Sequence, residues 1–152
     1  IQATRIALLN LGDPGTTRQV TLQARSGDVR QQRRAVEMLA NAIDPMVLDV
    51  LRDRLERSPD LAVRLAAAGS LSRFDSAEGL PLALQSLQYN RADGGEGADM
   101  RALACRVCGM ISDRAALTPL GELLFQDQDP AVRVACASAI VRILAQSNGS
   151  IN

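Results

Sequence analysis

The chain has 152 residues, 47% of them hydrophobic but only 2% aromatic, and its seventeen basic and seventeen acidic residues leave a formal charge of zero. One domain's worth of chain can bury a core without staples, and a core of Ala, Leu, Val and Ile suits close-packed helices better than sheets. Histidine is absent, which removes the commonest general base, the commonest metal ligand and every Ser-His or Cys-His nucleophile pair. Phosphate binding draws on a clear basic excess, so charge balance makes nucleic acid a poor partner.

In chain order, helices are predicted near residues 2–11, 14–24, 28–42, 45–57, 60–73, 76–89, 98–112, 114–126 and 130–146. The pattern repeats. A small apolar residue followed by Arg occurs at Val29-Arg30, Val63-Arg64, Met100-Arg101 and Val132-Arg133, with a degenerate Thr4-Arg5 at the start. Each Arg opens an Ala-rich run of helix length, and an Asp follows the run: Asp13, Asp44, Asp75 and Asp113. Asp13-Pro14 and Asp44-Pro45 carry the cap-then-Pro signature of a helix start, as Asp129-Pro130 does for the last helix. We call the helices beginning at the Arg motif first-type and those beginning at the Asp second-type. In the second-type helices Leu48, Leu51 and Leu55 keep the same offsets from Asp44 as Leu117, Leu120 and Leu124 keep from Asp113, which predicts one buried face repeated. The expected units lie near 1–25, 28–57, 60–89, 98–126 and 130–146 of a single domain over 1–146, with a flexible tail at 147–152. No apolar run is long enough to span a bilayer. Because the chain starts at Ile1 rather than Met, a leader or further domains are expected to precede it, and the compartment stays open.

The order D-x-x-V-R, small residues, an Asp turn and then a Leu-rich helix containing Pro resembles HEAT repeats of the short bacterial type. It is clearest in "DLAVRLAAAGSLSRFDSAEGLPLALQSL" and "MRALACRVCGMISDRAALTPLGELL". The resemblance implies an all-α fold, a right-handed α-solenoid of about four helix pairs plus a terminal helix, with first-type helices convex and second-type helices concave. It also implies a structural ladder in which Arg30, Arg64, Arg101 and Arg133 pair with turn acids such as Asp44, Asp75 and Asp113, capping helix ends and fixing the stacking. Apolar faces that one pair cannot bury alone are covered by its neighbours.

Three features invite chemical readings. Cys105 and Cys108 spell C-R-V-C, the spacing of a redox pair or half a metal site, but in register Cys105 overlays Cys136 and Cys108 overlays Ala139. All three cysteines are therefore expected to be reduced, buried fillers of small-residue positions. The segment at 90–99, with three Gly and the acids Asp93, Glu96 and Asp99, lacks the ending of a phosphate loop and is expected to be a mobile connection. Arg25, Arg30, Arg33 and Arg34 form a local basic cluster, interleaved with Asp28 and Glu37.

These readings point to a non-enzymatic protein-interaction or scaffold module without cofactor or metal. The alternatives are a HEAT-like accessory of lyase type, for which one Tyr and two Phe supply few groove-lining aromatics, and a nucleic-acid-binding solenoid using the basic cluster. The expected partner is a basic or polar peptide on the exposed face of the second-type helices. That face would hold Asp49, Arg52, Asp53 and Glu56, then Gln85 and Gln88, then Thr118 and Glu122. Val20, Leu22, Ile140 and Leu144 lie at the ends, where end-to-end self-association is expected.

Overall fold

The structure, a computed structural model, describes residues 1–91 and 96–149, with the backbone alone at Glu96. Every regular element among them is helical, and the chain divides into two compact units, Ile1–Ser76 and Ala77–Asn152.

The first unit contains α1 (Gln2–Asn10), α2 (Pro14–Ser26), α3 (Val29–Leu39), α4 (Met46–Arg57) and α5 (Leu61–Ser72). Its starts are set by short acids. Asp13, Asp28 and Asp60 accept from the amides of Thr16, Gln31 and Val63, and at Asp28 the Gln31 side chain returns the bond to complete a capping box. The connections after α2 and α4 are only a few residues long, so α3 folds back on α2 and α5 on α4, while α3 meets α4 much less. α3 also stacks on α5, where Ser70 Oγ donates to the carbonyl of Val36 at 2.9 Å. Leu9, Val20, Val36, Leu39, Val47, Leu51, Leu65 and Leu71 fill this core with no exposure. A fully buried side chain of this kind contributes about 1.5–3 kcal/mol.

The second unit contains α6 (Leu80–Ser86), α7 (Glu96–Ile111), a 3₁₀ turn (Arg114–Ala116) running into α8 (Leu117–Gln126), and α9 (Pro130–Gly149). α9 packs against both α7 and α8, and α6 lies on α7. α7 and α9 approach closely at Gly109, where a Cβ would stand 3.0 Å from the Cα of Ala139. No larger residue fits there without moving the α9 backbone.

Several boundaries differ from the periodicity. The helix expected over 76–89 shrinks to Leu80–Ser86 because Pro81 lacks the amide that would bond back to residue 77, so it is tolerated only in a first turn. Asp75, expected to open that helix, sits in a left-handed turn at φ 57° and precedes it by several residues. Pro119 has the same effect on α8, which is preceded by the 3₁₀ turn that Asp113 caps through the amide of Ala115. α3 ends at Leu39, three residues early, as the amides of Asn41 and Ala42 close tighter bonds to Met38 and Leu39. α9 runs on through 147–149 of the expected tail, with Ser147 Oγ bonded to the carbonyl of Ile143. α7 begins at Glu96 within the expected mobile segment; residues 92–95 and 150–152 of those two expectations lie outside the described residues.

The buried face of the second-type helices is also rotated from the Leu stripe. Leu51 and Leu120 are fully buried and Leu55 is buried too, but Leu48, Leu117 and Leu124 are only partly covered, and Val47, Val50, Ala116 and Leu123 join the buried face. Leu spacing marks an apolar helix face, and the stacking partner decides which edge of that face is central.

Candidate functional site

The repeated Arg divides into two kinds. Arg64, from α5, donates Nε to the carbonyl of Leu55 at 2.8 Å, near the end of α4. Arg101, from α7, donates Nη1 to the carbonyls of Tyr89 and Asn90 at 3.0 and 2.8 Å, just past α6. Arg64 therefore satisfies a carbonyl in the last turn of α4, where a cation also meets the negative end of the helix dipole, and Arg101 satisfies two in the turn that follows α6. Arg30 and Arg133 are exposed. Asp44 and Asp113, placed in the ladder by resemblance, give their carboxylates to the amides of Met46 and Ala115.

Arg101 pairs with Asp127, in the turn between α8 and α9. Its Oδ2 lies 2.7 Å from Arg101 Nε and its Oδ1 3.3 Å from Nη2, a bidentate pair in which Arg101 is 2% exposed. Burial pushes the Asp127 carboxyl up, but the hydrogen bonds from Arg101 and from the Asp129 amide outweigh it and hold the group below its ordinary value. The first unit repeats the turn in neutral form: Ser58, buried like Asp127, offers Oγ to the Asp60 amide just as Asp127 offers Oδ1 to that of Asp129. The D-x-D phrase at 127–129 was the available signal for this site.

The expected partner surface falls in two places. On α4, Asp49, Arg52 and Glu56 are exposed, but Asp53 is half-buried and bonded to Arg54 Nη2 at 2.6 Å, with Arg57 at 3.8 Å. The hydrogen bond from Arg54 holds the Asp53 carboxyl below the usual range despite its partial burial. Arg52 approaches Asp49 at 3.9 Å. This face is thus charge-balanced rather than acidic. In the second unit Gln85, Gln88, Thr118 and Glu122 are all exposed, Gln88 beyond the end of α6, and Arg91 links Gln88 to Gln126. Phe125 follows Thr118 and Glu122 on the same turn-by-turn stripe of α8 and is 86% exposed, a surface aromatic that Leu-centred reading passed over.

A groove of about 340 Å³ opens between α2 and α4 in the first unit. Arg18 and Arg25 line its α2 side, Asp44 and Asp49 its α4 side, and Met46 and Val50 give it an apolar part. The basic cluster is therefore dispersed: Arg25 faces this groove, Arg33 pairs with Glu37 at 3.0 Å, and Arg34 lines a separate cleft with Arg5 and Gln23.

The sequence profile of the HEAT repeats matches residues 17–98, more than half of the chain, and a second HEAT repeat match covers 116–147. The chain belongs to the HEAT repeat family. The second match takes α8, its turn and α9 together, the hairpin whose two helices pack closely in the structure. HEAT repeats build α-solenoids, commonly serve as protein-interaction or scaffold modules and are generally non-enzymatic. No curated protein matches the chain.

Within this HEAT chain Cys105, Cys108 and Cys136 are free thiols with no exposure, in the small-residue positions expected of them. Burial pushes Cys108 up to about 12. A bulky water-soluble thiol reagent is expected to label the native protein at least tenfold more slowly than the unfolded chain, measured by mass spectrometry over time. No helix among the described residues is long and apolar enough to cross a membrane, and no cluster of three or more potential ligands is placed to hold a metal ion.

Of the residues expected at uncovered ends, Val20 is fully buried between helices of the first unit, whereas Leu22 and Leu144 are exposed and Ile140 is half-buried. Val134 and Val141 extend the exposed apolar stripe on α9.

Proposed function

We propose that this HEAT chain is a non-enzymatic protein-binding module and that the groove between α2 and α4 receives an extended polar peptide. The observation that carries the reading is the groove itself, with arginines on one side, carboxylates on the other and Met46 exposed between them. Exposed ion pairs such as Arg52 with Asp49 contribute little to folding, so their charges can re-pair with a ligand at small cost. A segment carrying both signs around a small apolar residue fits better than the basic peptide that the acids of α4 alone suggest. Gln85, Gln88, Thr118, Glu122 and Phe125 offer a second polar surface with one aromatic anchor, the residue class that dominates binding hot spots. The apolar stripe of Val134, Val141 and Leu144 supports end-on association between copies at high concentration.

The test is selection of peptides from a displayed library on the native protein, followed by affinity measurement against two double variants. Arg18→Glu with Asp49→Arg should weaken the selected peptides at least tenfold, whereas Arg33→Glu with Arg34→Glu should change affinity less than twofold. The opposite ranking would put the binding surface on α3.

A further inference from the structure

We infer that Cys105 and Cys136 are an oxidisable pair, positioned to form a disulfide that staples α7 to α9. Their Sγ atoms lie 2.9 Å apart across the helix interface, with Cys105 and Cys136 each able to act as the donor. One turn along, a Cβ on Gly109 would approach the Cα of Ala139 to 3.0 Å, so α7 and α9 are closely packed beside the pair. The C-R-V-C spacing suggests Cys105 with Cys108, but α7 aims Cys105 at α9 instead. Cys108, one turn further along α7, is held protonated by burial.

The two thiols of the pair share one contact. When Cys105 donates, its own ionisation is suppressed and that of Cys136 is favoured, so in that arrangement Cys136 is the attacking sulfur, and the reversed contact exchanges the two roles. The oxidant must be small, because both sulfurs have no exposure, and hydrogen peroxide meets that condition. Cys136 Sγ attacks one peroxide oxygen, the O–O bond breaks, and water leaves behind a sulfenic acid. Cys105 Sγ then attacks the Cys136 sulfur, the S–O bond breaks, and the departing hydroxide takes the Cys105 proton to leave as a second water. Two thiols and one peroxide thus give one disulfide and two waters. The resting protein is reduced, and the oxidised protein has α7 and α9 tied through a loop of roughly 30 residues, which restricts the unfolded chain.

The experiment exposes the folded, reduced protein to hydrogen peroxide, quenches it, denatures it in an alkylating agent and maps the peptides by mass spectrometry. The expected result is a Cys105–Cys136 linked peptide within one chain, loss of two alkylatable thiols and an alkylated Cys108. Cys108→Ala should form the same link, and Cys136→Ser should not. Circular dichroism should keep its helical signal through oxidation, and the thermal midpoint should rise by several degrees in the wild type and in Cys108→Ala but not in Cys136→Ser. Retention of all three thiols, a Cys105–Cys108 link, a link between chains, or a bond that forms only after denaturation would each overturn the inference.

Discussion

Arg101→Ala is expected to destabilise the second unit by about 3–5 kcal/mol, the range for removing one partner of a buried ion pair. The substitution leaves the Asp127 carboxylate, itself buried, without its bidentate partner, and it also strips the carbonyls of Tyr89 and Asn90 of their donor. Urea unfolding of wild type and variant, followed by circular dichroism, measures the loss. Arg64→Ala should cost less, because the side chain of Arg64 is only half-buried and its bond to Leu55 leaves no buried charge behind when it is removed. The pH dependence has a definite sign. The carboxyl of Asp127 is depressed in the folded state, so its contribution is fully present above the unfolded value of about 4 and is lost as pH falls through the lower folded value. In Arg101→Ala the same carboxyl is buried without its counter-charge and is more easily protonated, so the deficit of the variant should shrink in acid. A deficit that is unchanged down to about pH 3 would contradict this account of Asp127.

Leu51→Ala and Leu120→Ala are each expected to cost about 2–5 kcal/mol, because both side chains are fully buried and leave cavities in close-packed surroundings. Leu48→Ala and Leu117→Ala, at the edge of the same helices and partly exposed, should cost less than half as much. Paired denaturation curves decide the matter. Equal losses at all four positions would mean that the Leu stripe, rather than its rotated neighbour containing Val47 and Leu123, is the packing centre.

That rotation shows where sequence reasoning stopped. Helix starts were legible because caps are local: Asp13, Asp28, Asp60, Asp113 and Asp129 each act on an amide two or three residues away. The alternation of Ala-rich and Leu-rich helices was legible because apolar spacing of 3–4 residues survives any arrangement of neighbours. The start of α6 was misplaced although Pro81 marked it, since Asp75 was read as opening the helix. The D-x-D phrase marked the turn at Asp127 but did not single it out as the partner of Arg101. Asp127 and Asp113 both sit near turns, and only the packing of α7 against α9 brings one of them to the guanidinium. The same long-range packing paired Cys105 with Cys136 rather than with its sequence neighbour. Of the expected partner surface, exposure was correct at Asp49, Arg52, Glu56, Gln85, Gln88, Thr118 and Glu122, but not at Asp53, to which Arg54 and Arg57 reach back. The groove beside α2 needed two helices to exist at all.

Hydrogen–deuterium exchange of the protein with and without a saturating selected peptide tests the proposed binding surface most directly. The account predicts added protection over 14–26 and 44–53, the residues of α2 and the first half of α4 that border the groove, with 29–39 unchanged. Protection concentrated on α3 and α5, with α2 and α4 exchanging as in the free protein, would contradict it.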